Sequence, residues 1–395
     1  MQERKQALFI TSRIPYPPLS GGQIRMINDL RMLAISYNVH LLCFSYKELT
    51  SEIRGGLETL VQNVVHIRVS RISYIWNLVR ALFTGLPFQV ELYNFSCIRI
   101  WIRKHWAEYE TLFCMHVRTA TYAQYAHCSI KAIDYVDAIS MNYKNASKQV
   151  LGFLKWFYRF ESARLLQYEV SCSHEFEKRM ITSKKDKDFL ETYGAADIAV
   201  IPHSILSEAN NGMLIEGPGQ DDNLLFIGAM WYEPNVTAVK YFCSNIWPPL
   251  KLIRPNINLF VVGARPTKEI LELKLIDGVH IEGYVDNIDS FLYRAAVIIA
   301  PMLSGSGVQT KIVEAFSRGK CVMATSLACD GLGNIDSEAI VVVDGVTSWV
   351  DELKRLASIE GRSAREAIGA RALNYYRSNF SLSAISRDFV KYLQR

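Results

Sequence analysis

The sequence predicts an α/β chain of two doubly wound, Rossmann-like domains, and three observations carry that prediction. Buried-strand runs alternate with stretches of helical period along nearly the whole chain. The alternation breaks once, in a Gly-, Asn- and Ser-rich segment near the middle. At 395 residues, the chain is also longer than the ~150 residues of a typical single domain. Strands joined through helices lie parallel and are covered on both faces, and such domains bind ligands outside the carboxyl ends of their strands.

The first run, Ala7–Thr11, reads as a buried strand; the Pro-rich turn RIPYPPLSGG follows, and a helical period opens at Gln23. Val39–Phe44 reads as the second strand, with further strands expected at 63–69, 111–117, 130–136 and 168–173. Residues 1–205 form the expected first domain and 206–222 the linker. Alternation restarts with strands at Leu224–Gly228, Ile257–Gly263, from Val279, at Ala296–Pro301, Cys321–Thr325 and Ala339–Val343. Helices are expected over 235–245 and from about 309, and the second domain over 223–378. The last segment, 379–395, is helical by period and free to leave the second domain. Two such domains are expected to face each other across a cleft.

Half of the residues are hydrophobic, 21% are charged and 11% are aromatic, which excludes disordered and collagen-like classes. Lys and Arg number 44 against 39 Asp and Glu, and a net charge of +5 is too weak to indicate a nucleic-acid partner. The eight cysteines form no C-x-x-C pair and no zinc spacing, so they read as reduced thiols and no metal is expected. No apolar run reaches the ~20 residues of a membrane-spanning helix, so a cytoplasmic protein is expected. Basic aromatic segments at 68–106 and 148–164 suit either a peripheral membrane contact or core-facing helices with snorkelling cations.

Candidate chemistry concentrates at two Gly-rich loops. In PMLSGSGVQTKIVEAFSRGK (301–320), Gly305 and Gly307 precede a helix whose free amides favour an anion. Lys311 adds a point charge there, and Glu314 is placed to accept from a ribose diol; a Gly-rich turn with a surface Lys–Glu pair is the alternative. Gly21 and Gly22 repeat the arrangement in the first domain, with Arg25 in the first helical turns. His116 ends the TLFCMH strand, and His203 lies at the domain boundary, where a structural role is favoured. Neither G-x-S-x-G, H-E-x-x-H nor a P-loop occurs.

These segments resemble family-4 glycosyltransferases of the GT-B fold, and within them the exopolysaccharide/PEP-CTERM-associated sugar transferases. The stretches that carry the resemblance are RIPYPPLSGGQIR, AIDYVDAIS with YRFESARLLQYE, LLFIGAMWYEPN, FVVGARP and GVQTKIVEAFSRGKCVMATS. It implies a retaining, metal-independent transfer from a nucleotide-sugar donor to a saccharide acceptor, with a lipid-linked acceptor and surface-polysaccharide assembly as the setting. No cofactor beyond the donor is implied. By resemblance, Glu314 matches the ribose-binding Glu. Lys311 with Gly305, Ser306, Gly307 and Val308 matches the diphosphate segment, and Gly21 and Gly22 the N-terminal phosphate loop. His116 matches a cleft histidine near the donor sugar. Tyr284 and Val285 match the base-contacting segment, and Gly228 opens the GAM stretch. The usual E-x7-E pair has Ser306 at its first position, and Ala229, Met230 and Pro234 stand near the places of the usual Arg and Lys. Positive charge on the diphosphate is therefore expected from Lys311, Arg265 or Arg25. The alternatives are a sugar-nucleotide epimerase of the same fold and a non-catalytic GT-B protein that binds a nucleotide sugar or a partner.

Overall fold

A computed structural model describes residues 4–18, 20–202, 220–305 and 308–394. The chain divides into two compact units, Met1–Ser204 with Ile385–Arg395, and Ile205–Ala384. The expected linker, and His203 with it, falls almost wholly outside the described residues.

The first unit is built on β1 (Lys5–Thr11), β2 (Tyr37–Ser45), β3 (Asn63–Arg68), β4 (Thr111–Met115), β5 (Ile130–Asp134), β6 (Lys178–Ile181) and β7 (Ala199–Val200). All neighbours run parallel in the order β3-β2-β1-β4-β5-β6-β7. Ala7 to Ile10 are fully buried because helices cover both faces, which is why this strand reads as a continuous apolar run. Phe9 stands beside Leu41 and Phe113, and its ring stacks on that of Phe113 at 5.0 Å. The helix Leu382–Gln394 packs on this unit: Phe389 lies 6.0 Å from Phe113, and the Tyr392 hydroxyl accepts from the Arg179 amide at 2.9 Å. The order reverses between β1 and β4, and the crevice beyond their carboxyl ends is the switch point of this sheet.

The strand expected at 168–173 is not a strand; these residues lie inside the helix Gly152–Glu175. Buried Glu161, Leu165, Glu169 and Cys172 recur at helical spacing. Glu169 also accepts from the amides of Ile139 (2.8 Å) and Ser140 (3.3 Å), capping the helix Ile139–Gln149. Residues 168–173 alternate apolar and polar as a half-buried strand does, and so short an alternation does not by itself separate a strand from a buried helical turn. The sheet positions are filled instead by KRMI (β6) and the two-residue β7.

The second unit contains β8 (Gln220–Ile227), β9 (Asn258–Val262), β10 (Val279–Gly283), β11 (Ala295–Ala300), β12 (Val322–Ala324) and β13 (Val341–Val342), all parallel in the order β10-β9-β8-β11-β12-β13. Its switch point lies between β8 and β11. The helix expected over 235–245 runs from Glu233 to Tyr241 and passes through a π-turn, Phe242–Ile246, into Trp247–Ile253. That wider turn directs Trp247 into the core, where it and Trp349 are almost wholly buried. Among the described residues no helix is long and apolar enough to cross a membrane. All eight cysteines are free thiols.

Candidate functional site

In the second unit, the ends of β8 and β9 meet at a close backbone approach. A Cβ on Gly263 would stand 1.7 Å from the Gly228 carbonyl oxygen, so position 263 admits only glycine without moving the main chain. Gly228 donates to Val262 O at 3.0 Å, and Met230 donates to Ala264 O at 2.9 Å, which locks the two strand ends together. Gly263→Ala is expected to destabilise the protein by more than about 2 kcal/mol, read as a lower midpoint in urea.

Pro301 to Gly305 lead from β11 toward the helix Thr310–Ser317. Gly305 has φ +127°, and a side chain there would approach Gln309 and Pro234, so the loop bends against the start of the helix Glu233–Tyr241. Gln309 provides no side-chain cap, which leaves the first-turn amides of Thr310–Ser317 open to an anion. Ser306 and Gly307, two of the expected phosphate-loop residues, lie outside the described residues; Val308 is half-buried against the core.

Lys311 does not extend along the surface. It is 5% exposed; its ammonium donates to Asn235 Oδ1 at 2.7 Å, lies 3.3 Å from Met302 Sδ and sits 4.7 Å from the Phe226 ring centroid. Asn235 Nδ2 in turn donates to Ala229 O at 3.0 Å, so Lys311 is linked to the end of β8 through one side chain. Burial pushes this ammonium down to about 7, because the interior disfavours the charged form. Glu314 lies on the same helix, partly buried and with no side-chain hydrogen bond described. Burial raises its carboxyl while nearby Arg318 opposes that. Arg318 itself is held by Asp289 at 3.0 Å.

Arg265, at φ +56°, follows the Gly263 approach with an exposed side chain. Tyr284 is exposed beyond β10, whereas Val285 packs against the core. Both immediately follow the carboxyl end of β10, two strands from the switch point. Among the described residues, no group of three or more His, Cys, Asp or Glu side chains is placed to hold a metal ion.

In the first unit, Ser20 caps the helix Gly21–Ala34 through its side chain, and a Cβ on Gly22 would stand 3.9 Å from the Arg13 guanidinium. Arg25 does not face outward toward a phosphate as expected. Its side chain is 1% exposed and faces inward, with Nε 2.7 Å from Asp134 Oδ2 and 3.1 Å from Asp29 Oδ1. Its Nη1 donates to the carbonyls of Ile201 (3.0 Å) and Pro202 (2.7 Å). One helical turn carries this residue into the core, where two carboxylates consume its charge, and it is closed to an external phosphate. Desolvation pushes the Asp29 carboxyl upward, reinforced by neighbouring Asp134 and opposed by Arg25.

His116 follows β4 with φ 72° and ψ 150°, a conformation non-glycine residues rarely adopt. Its amide donates to Asp134 O at 2.7 Å, which helps hold the backbone there. Nδ1 is buried without a partner, and Nε2 is 3.8 Å from Asp137 Oδ1. Burial, then the charges of Arg118 and Arg13, push the imidazole well below its usual range, so at neutral pH it is an uncharged donor and acceptor. Val136, after the adjacent β5, also has positive φ, at 67°.

Beside this crevice lies a cavity of about 760 Å³ at the ends of β1 and β2 that sequence reasoning missed. Tyr46, Tyr74 and Tyr93 line it with Arg13, Lys47 and Arg71. The Arg71 guanidinium sits 4.8 Å from the Tyr46 ring centroid, and Arg118 sits 5.4 Å from that of Tyr93. Cationic side chains beside aromatic faces suit a polar ring compound carrying negative charge. The only sequence signal was the basic aromatic segment beginning at 68, and the structure places its Arg71 and Tyr74 in the cavity wall.

Comparison with known proteins agrees with this architecture. Residues 221–358 match the family model described as Glycosyl transferases group 1. A Klebsiella pneumoniae protein, described as an uncharacterised 44.6 kDa protein in the cps region, is 21% identical over 97% of this chain and 98% of its own length. The crystal structure of TarM superposes with TM-score 0.71 over 100% of this chain and 99% of its own, at 9% identity. Anabaena HepE in complex with UDP and glucose gives 0.63 over 99% of this chain and 100% of its own, at 12% identity. Sucrose-phosphate synthase from Thermosynechococcus elongatus gives 0.63 over 99% and 98%, at 13% identity. The two Rossmann-like units thus share the fold of GT-B glycosyltransferases, and the match across the second unit supports a glycosyltransferase.

Proposed function

We propose that the protein is a retaining, metal-independent glycosyltransferase of family 4, allied to the exopolysaccharide/PEP-CTERM-associated sugar transferases. It moves a sugar from a nucleotide-sugar donor to a lipid-linked saccharide in cell-surface polysaccharide assembly, at the cytoplasmic face of the inner membrane. The observation that supports it most is the arrangement after β11: a glycine at φ +127°, a helix start without a side-chain cap, Lys311 behind it and half-buried Glu314 on the same helix. Open amides and a nearby cation stabilise a departing diphosphate, and the Glu314 carboxylate accepts from a ribose diol. HepE binds UDP and glucose, which favours a uridine donor here.

In this reading the donor lies on the second unit and the acceptor on the first, where the tyrosine- and arginine-lined cavity receives the saccharide. Charge develops on the leaving diphosphate as the sugar–phosphate bond lengthens, and Lys311 supplies compensation that water would supply poorly. The acceptor hydroxyl attacks from the face the diphosphate leaves, which retains the anomeric configuration, and a diphosphate oxygen takes its proton. Uncharged His116 offers the sugar a hydrogen bond from a fixed position. The test is transfer of radiolabelled sugar from UDP-sugars into a lipid-linked saccharide extract. Label entering the organic phase with retained configuration supports the reading; release of free sugar or an epimerised nucleotide sugar with no acceptor contradicts it.

A further inference from the structure

The helix Arg71–Arg80 has two different faces. Arg71 and Tyr74 line the cavity, whereas Ile72, Ile75, Trp76 and Val79, spaced as one helical stripe, stand in solvent with Trp76 69% exposed. The following turn continues the stripe through Leu82 and Phe83, the latter 83% exposed. A second group opens the helix Gly152–Glu175, where Leu151 (86%) and Phe153 (74%) are exposed together with Leu154 and Trp156. Arg164 ties the two groups together: its Nη2 donates to the Ala81 carbonyl at 3.1 Å and to that of Leu86, and its guanidinium lies 5.2 Å from the Phe160 ring centroid. Phe88 meets Phe157 at 5.6 Å along the same seam.

Exposed apolar side chains in this density mark a surface that meets another apolar phase. Charge decides which one. Residues 144–160 contain four exposed cations, Lys144, Lys148, Lys155 and Arg159, and no Asp or Glu, whereas Arg71 lines the cavity and Arg80 is paired with Glu91. Lys155 and Arg159 are exposed beside Trp156. A protein partner's apolar face needs no such one-signed rim, whereas Trp and Phe beside Lys and Arg fit the boundary between acyl chains and anionic headgroups.

We propose that this two-helix patch seats the protein on an anionic bilayer, with the opposite face of Arg71–Arg80 presenting the cavity at headgroup level. The inference rests on the reading that the acceptor is lipid-linked, and it gives that reading a surface. Trp76, Phe83, Leu151 and Phe153 enter the interface, while Lys155 and Arg159 meet phosphates.

The test is co-sedimentation of the purified full chain with vesicles of phosphatidylcholine alone or mixed with phosphatidylglycerol, without donor or acceptor. The expected result is binding that requires phosphatidylglycerol and falls roughly tenfold in a Trp76→Ser, Trp156→Ser double variant, with melting temperature and donor-induced shift unchanged. In the unaltered chain, brominated lipids should quench tryptophan fluorescence, a readout independent of how the variant folds. Absence of sedimentation, or binding indifferent to phosphatidylglycerol, overturns the proposal. A concentration-dependent dimer that the same substitutions dissolve also overturns it, because a second copy then covers the patch. Sugar transfer is measured separately, so failure of vesicle binding leaves the transferase reading standing, and failure of transfer leaves the surface standing.

Discussion

Lys311→Met is expected to lower sugar transfer by about 10²- to 10³-fold, the range seen when one pre-placed charge or donor is removed from a developing anion. The substitution preserves volume, and the methylene stem already packs in the core. Its effect on stability runs the other way. The folded chain holds this ammonium at about 7 instead of 10.5, so between those values the unfolded chain binds a proton that the folded chain releases. Stability from this group therefore rises as pH increases from about 7 toward 10, and the charged form costs stability below that window. The methionine variant loses this pH dependence and is the more stable protein near pH 7, by about 1 kcal/mol or more. Donor affinity of the unaltered protein should weaken above pH 7 as the ammonium deprotonates. Calorimetry across pH 6–9 and turnover at saturating donor check the two halves, and unchanged turnover would remove Lys311 from the mechanism.

Arg25→Met is expected to cost about 3–5 kcal/mol of unfolding free energy, the usual result of removing one partner from a buried ion cluster. The guanidinium joins the first helix to Asp134 at the end of β5 and to the carbonyls of Ile201 and Pro202 beyond β7. Without it, Asp134 and Asp29 face each other uncompensated in the interior. The measurement is the urea midpoint at constant slope. Surviving variant protein should still show a donor-induced thermal shift, because the second unit is untouched. A variant as stable as the unaltered chain that has lost donor binding would restore Arg25 to the phosphate site.

Both sheets were legible because parallel strands buried on two faces leave continuous apolar runs such as Ala7–Ile10 and Ala295–Ala300. The strand misread at 168–173 shows where that signal fails. Tyr168, Val170 and Cys172 alternate with Glu169 and Ser171 as in a half-buried strand, and only the spacing back to Leu165 and Glu161 reveals a helix. β6 (KRMI) begins with two cations and β7 is only two residues long, so neither announces itself. At the site, the glycines were legible from loop chemistry, but the requirement at Gly263 was not, because it arises from a carbonyl on another strand. Side-chain direction was equally hidden: Arg25 and Lys311 both sit near helix starts, and both turn into the interior. The tyrosine cavity is assembled from residues between 12 and 93, and no local pattern links Tyr46 to Tyr93.

The proposed transfer depends first on the second unit binding a nucleotide sugar through Glu314. The most direct measurement is the thermal shift of the purified chain against UDP-, GDP-, ADP- and CMP-sugars, since a ligand that binds only the folded state stabilises it by RT ln(1 + [L]/Kd). The expected result is a shift with one base family, of about 2.7 kcal/mol at a hundred times Kd, that is lost in Glu314→Ala. No shift with any of these donors at millimolar concentration, or a shift that Glu314→Ala leaves intact, would contradict it.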